Sequence, residues 1–72
     1  MGKGFGEAIR LWMEDNVGSK FYGREDMAVK CGNSIGCSSV TSDRWIVQLA
    51  TRNGPFRVLT NDEGNWIIKR RE

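Results

Sequence analysis

The sequence contains no histidine, so the commonest general base and the commonest metal ligand are both missing, and most catalytic and zinc chemistries weaken with them. Cysteine is scarce as well. Cys31 and Cys37 are the only two, a short-loop pair rather than the framework of a disulfide-rich secreted domain, so reduced thiols acting as small hydrophobes are expected. A metal site would need further ligands from carboxylates or a second chain, and none is expected. No apolar run approaches the roughly 20 residues of a membrane span, and Met1–Gly6 lacks the apolar stretch of a signal peptide. A cytoplasmic chain without a membrane partner is the expectation. Gly6 stands where Ser or Thr would complete a myristoylation pattern after Met1-Gly2. A dominant charge sign is missing too: 11 Lys and Arg face 9 Asp and Glu, for a net charge of +2. That balance permits contact with nucleic acid without demanding it.

What is present is one small domain, residues 1–72, with 1–4 and 71–72 read as flexible ends. A chain of 72 residues buries only about 60% of the surface its unfolded form exposes, so it needs one economical core. The 39% hydrophobic content, with three Trp and three Phe, can supply it. No room remains for a cofactor domain, and neither a cofactor nor a small-molecule ligand is expected.

The residue pattern reads as three helices followed by a hairpin, an α+β order. Phe5, Ala8, Ile9, Trp12 and Met13 recur at helical spacing and predict a first helix over about 5–16, with Glu7 in its first turn, Gly18 as its stop and Leu11 off the stripe. Lys20-Phe21-Tyr22 reads as an extended connector. A second helix is expected from Arg24 to Cys31, opened by Gly23, Glu25 and Asp26 and ended by Gly32, with Ile35 plugging the turn that follows. In the third, Ser38 or Ser39 caps a helix that buries Trp45, Ile46 and Leu49, with Ser38 and Ser42 on the same side. At 100° per residue, Val40, Asp43, Arg44, Val47 and Thr51 then point outward with Gln48 on the flank. Gly54-Pro55 closes the helix. Phe56 to Thr60 and Trp66 to Arg70 form the strands of the hairpin, Asn61 to Asn65 its turn, with Phe56, Val58, Trp66 and Ile68 facing inward. A lone hairpin is marginal in water, so this one must pack on the helices.

Three short helices, the last two joined by a tight turn, with a C-terminal two-stranded hairpin is the order of the winged helix-turn-helix superfamily. Tyr22-Gly23-Arg24-Glu25-Asp26-Met27-Ala28 resembles the opening of that superfamily's second helix. Ser38-Ser39-Val40-Thr41-Ser42-Asp43-Arg44-Trp45-Ile46-Val47-Gln48-Leu49 resembles its recognition helix, and Asn53-Gly54 followed by a strand, a Gly-containing tip and the Trp66 to Arg70 strand is similar to its wing. The resemblance covers about residues 5–70. It implies a three-helix helix-turn-helix core with a β-hairpin wing, double-stranded DNA as partner, and a small transcription regulator of bacteria, archaea or their viruses.

With helix three, about Ser39 to Thr51, in a major groove, Arg44 is placed to make two parallel bonds to guanine, Val40 to touch a thymine methyl, and Gln48 to pair with adenine or reach the backbone. Ser39 and Thr41 carry short hydroxyls suited to phosphate at a helix N-terminus. The expected DNA-binding set is therefore Ser39, Val40, Thr41, Asp43, Arg44 and Gln48, with Lys30, Arg57, Lys69 and Arg70 around it; Lys20 and Arg24 could add phosphate contacts. Arg44 paired with Asp43, and a C-terminal cluster that only aids solubility, are the plain alternatives. Asp62 and Glu63 at the tip repel a DNA backbone, which suits a wing lying beside DNA or one facing a protein. Helix three is nearly neutral, with Asp43, Arg44 and Arg52 as its charges. Specific regulation would then need a homodimer or a protein partner, for which Val47, Leu11 and Ile67 are candidate contacts. The other reading is a protein-interaction module on the same scaffold. An enzyme is not expected, since Glu14 and Asp15 diverge by about 100° on a helix and Gly2-Lys3-Gly4-Phe5-Gly6 lacks the context of a phosphate loop.

Overall fold

A computed structural model of the chain describes residues 3–51 and 54–71. Its elements run α1 (Lys3–Asp15), β1 (Lys20–Phe21), α2 (Arg24–Ile35), α3 (Ser39–Leu49), β2 (Phe56–Thr60) and β3 (Trp66–Arg70). This is the α+β order of three helices and a C-terminal hairpin, a winged-helix layout, with one strand more than expected. Lys20 and Phe21 are not a connector: they pair antiparallel with Ile67 and Trp66, giving a sheet of order β1-β3-β2. Two residues carry no periodic pattern, so this strand is invisible to a reading based on alternation. Its benefit is the ring of Phe21, which is buried and lies 5.5 Å from the ring of Trp12, tilted by 44°.

The helix boundaries differ from expectation for local reasons. α1 starts at Lys3, so Glu7 falls beyond its first turn and pairs with Arg10 at 2.7 Å instead of the helix dipole. Ile9, Trp12 and Met13 are buried along its inner face, whereas Phe5, expected on that stripe, stays exposed in the first turn. α2 does not stop at Gly32. It continues through Ile35 to Gly36, whose left-handed conformation (φ 90°) closes the helix while its N–H donates to Gly32 O at 2.7 Å. Gly32 serves close approach instead: a Cβ there would sit 2.6 Å from the carbonyl oxygen of Cys37.

α3 is capped by Ser38, whose Oγ accepts the Thr41 N–H at 3.2 Å, and it ends at Leu49, before Thr51 and well before Gly54. At Gly54 a Cβ would meet Leu49 O at 2.1 Å, so it too marks a contact and not the helix end. Asn53, which carries part of the wing resemblance, lies outside the described residues, as do Met1, Gly2, Arg52 and Glu72. Of the ends read as flexible, Gly4 belongs to α1 and Arg71 is held by several hydrogen bonds.

One core joins the elements: Ile9, Trp12, Met13, Phe21, Met27, Cys31, Ile46, Phe56 and Ile68, with Trp45, Val58 and Trp66 packed against it. All three Trp thus face inward. The only buried polar side chain among the described residues is Ser42, whose Oγ donates to Ala28 O at 2.6 Å and ties α3 to α2. No helix among the described residues is long and apolar enough to cross a membrane.

Gly32→Ala should lower stability by about 1 to 3 kcal/mol through overpacking of the α2–α3 turn. Gly4→Ala, where nothing lies within 4 Å, should be neutral or stabilising by about 0.5 to 1 kcal/mol. Urea midpoints at unchanged slope measure both.

Candidate nucleic-acid interface

Burial of Ser42 and Ile46 orients α3 and leaves Val40, Arg44, Val47 and Gln48 exposed on its opposite side. Val40 is 68% exposed, which is high for an aliphatic side chain. Thr51, expected as the last outward residue of the helix, lies past its end with its hydroxyl donating to Gln48 O at 2.9 Å. Thr41 is half-buried and its hydroxyl is engaged with Ser38 Oγ at 3.1 Å, so it belongs to the cap more than to the surface. Ser39 is exposed, and the first-turn N–H groups of Ser39 and Val40 have no acceptor among the described residues. Such groups point along the helix axis toward any incoming anion.

Two of the cations expected near this face come with their charge balanced. Arg24 presents its Nε and Nη2 to the two carboxylate oxygens of Asp43, at 2.8 and 3.0 Å, across the start of α2 and the middle of α3. Asp43 is therefore not an outward contact but one half of an interhelical fork, and the hydrogen bond from Arg24 holds its carboxyl below the usual range. The pair forms one wall of an open groove of about 350 Å³ that Glu25, Ala28, Ser39, Val40 and Arg44 complete, so an exposed carboxylate lines it as well as Arg44. Lys30 lies 3.2 Å from the Asp26 carboxylate and 5.4 Å from the ring centroid of Tyr22, an exposed aromatic that sequence reasoning did not place in the site. Asp26 also accepts the Tyr22 N–H at 2.9 Å, which is the main reason its carboxyl is held low. Arg44 has no carboxylate partner among the described residues; the alternative reading pairs it with Asp43, and the structure gives that carboxylate to Arg24 instead.

The sheet behaves differently. Register pairs Arg57 with Lys69, Leu59 with Ile67, and Lys20 with Ile67, which puts these side chains on the face opposite to Phe56, Val58 and Ile68. Arg57 and Lys69 stand directly across from each other, and like charges in that position destabilise a sheet. Neither has a carboxylate partner among the described residues; Arg70 alone in the cluster has one, Glu14 on α1. Arg57, Leu59, Lys69, Arg70 and Arg71 line a single open hollow.

Arg71, which sequence reasoning treated as part of a loose end, organises its rim. Its Nε donates to Gly54 O at 2.9 Å and its Nη2 to Thr51 O at 2.7 Å, while its N–H donates to Pro55 O at 2.9 Å. The base of the hairpin is thereby pinned to the segment leaving α3, and the neutral acceptors leave the guanidinium charge uncompensated. At the far end of the hairpin, Asn61 Oδ1 accepts the N–H groups of Glu63 and Asn65, at 3.0 and 2.9 Å, and holds a tip on which Asp62 and Glu63 are exposed.

The buried Cys31 thiol offers little chemistry to this surface. Burial pushes the Cys31 thiol up to about 12, and an unionised thiol is neither a nucleophile nor a good ligand. Among the described residues no three His, Cys, Asp or Glu side chains gather as metal ligands. Comparison with known protein families, with curated proteins and with solved structures finds no match to this chain.

A carboxylate held low in the folded state stabilises the fold above its unfolded value, and that contribution disappears as pH falls through the folded one. Asp43→Asn should therefore flatten the loss of Tm between neutral pH and the region below the ordinary aspartate value. Asp26 and Glu7, also held low by hydrogen bonds, keep part of the acid sensitivity in the variant.

Proposed function

We propose that this chain is a double-stranded DNA-binding module of the winged helix-turn-helix kind, acting as a small transcription regulator, with α3 against the major groove and the outer face of the sheet along a flanking phosphate backbone. The observation that carries this reading is the pairing of Arg57 with Lys69 directly across the hairpin, in a hollow shared with Arg70 and Arg71. A like-charge pair lowers the stability of a free sheet. A polyanion that binds it removes that penalty and releases condensed counterions. Arg71 brings the same positive surface up to the end of α3 through Thr51, so a phosphate strand on the sheet continues toward Gln48 and Arg44.

In this arrangement Arg44 reads a base edge, Gln48 reads a base or the backbone, Val40 meets a thymine methyl, and the free N–H groups of Ser39 and Val40 take a phosphate. Arg24 and Lys30 contribute less, because Asp43 and Asp26 already balance them. The acidic tip stays out of the minor groove, and the wing lies beside the duplex. One observation favours a second reading: Val40 and Val47 leave an apolar surface on α3, 68% and 43% exposed, which suits a protein partner.

Arg44→Ala should weaken binding to a preferred site by about 1 to 3 kcal/mol with the fold intact. Arg57→Ala with Lys69→Ala should weaken binding to all duplexes alike and reduce the slope of log K against log salt by about 1 for each charge removed. Fluorescence anisotropy over a salt series measures both effects. Absence of binding to any duplex at low salt would leave the protein-partner reading.

A further inference from the structure

β2 is an edge strand, with β3 on one side and no strand on the other among the described residues. The ladder identifies the groups on the open side. Asn61 N–H donates to Asn65 O at 3.0 Å and Arg71 N–H to Pro55 O at 2.9 Å. Bonded pairs alternate along an antiparallel ladder, so Leu59 with Ile67 and Arg57 with Lys69 are the bonded pairs between these two. The backbone groups of Phe56, Val58 and Thr60 therefore face outward; of these the Phe56 carbonyl already accepts one bond, from Arg71 Nη2 at 3.3 Å, and keeps its second lone pair. An open row of this kind is a template for another strand.

The hairpin is also polarised by charge. Its tip exposes Asp62 and Glu63, and its base carries Arg57, Lys69 and the uncompensated Arg71. An antiparallel neighbour of the same sequence lays tip against base at both ends. We propose that the open edge of β2 is a self-association surface, on which a second copy of this chain adds its own β2 in antiparallel register centred on Val58.

That register follows from the outward groups. Each Val58 exchanges bonds with its counterpart, and each Thr60 does so with Phe56 of the second copy, whose carbonyl then accepts the Thr60 N–H beside the Arg71 guanidinium, so every outward strand residue is paired. Centred on Leu59, Phe56 would pair with the turn. Centred on Arg57, guanidinium would face guanidinium, which is unfavourable. Around Val58, Arg57 meets Leu59, and Asp62 comes opposite Gly54, whose carbonyl oxygen the Arg71 guanidinium grips at 2.9 Å. The result is one continuous sheet whose outer face carries the cations of both copies.

The test uses the full chain without nucleic acid, so it stands or falls independently of DNA binding. Sedimentation velocity at low salt should give 8.2 kDa at micromolar concentration and a mass rising toward the dimer at millimolar concentration. In the same range the amide resonances of Val58 and Thr60 should shift in ¹⁵N–¹H spectra. Asp62→Lys with Glu63→Lys, confined to the exposed tip, should weaken association by about tenfold or more, and Val58→Pro should abolish it by removing the central donor. A chain that stays monomeric throughout overturns the proposal. So does a dimer that leaves the Val58 and Thr60 amides unmoved, or one indifferent to reversal of the tip charge.

Discussion

The register of β3 between β1 and β2 ties the interior of the molecule to its surface. Ile68 and Trp66 point from this strand into the helices, and Ile67 and Lys69 point away from them. Strand parity allows no compromise, because a slip of one residue would exchange the two sets and put Lys69 into the core. Phe21 beside Trp66, Phe56 near the start of β2, and the bond from Gly18 N–H to Ile68 O at 2.9 Å all hold that register. The cost of losing it is large compared with the few kcal/mol of net stability such a small domain has. The same register sets Arg57 opposite Lys69, so the pressure that builds the core also concentrates positive charge outside it.

Charge on this protein is consequently distributed by element. Three helical cations are matched within the fold, Arg10 with Glu7, Arg24 with Asp43 and Lys30 with Asp26, and α1 also supplies Glu14 to Arg70. The outer face of the sheet and Arg44 are not matched among the described residues. A net charge of +2 therefore understates the local field, since most of the acidic groups are engaged in pairs or sit at the hairpin tip. Exposed pairs of this kind contribute little to stability. Their effect here is on where an anion can be bound.

Much of the fold was legible in the sequence because long amphipathic helices and alternating strands carry their own periodicity. The inner face of α3 follows from Ser42, Trp45, Ile46 and Leu49, and the hairpin from its turn chemistry and strand parity. Boundaries were harder where a glycine had two physical meanings. Gly32 and Gly54 look like stops and act as points of close approach, a distinction that depends on how the chain folds back on the nearby Cys37 and Leu49 carbonyls. The candidate site was legible as a list and not as a pattern of pairs. Arg24 and Asp43 are 19 residues apart, and no local spacing announces their fork. Arg71, near the chain end, gave no signal that three backbone carbonyls would hold it, although its place next to the last strand is where such a clamp can form.

The most direct measurement is a ¹⁵N–¹H titration of the chain with a short duplex at low salt, mapping which amides move. The expected result is a contiguous set on the first turn of α3, around Arg44 and Gln48, and along Arg57, Lys69 and Arg71, with the Glu7 to Leu11 surface of α1 unchanged. Shifts centred on α1, or no shifts at any duplex concentration, would contradict the assignment of the sheet face and α3 as a nucleic-acid surface.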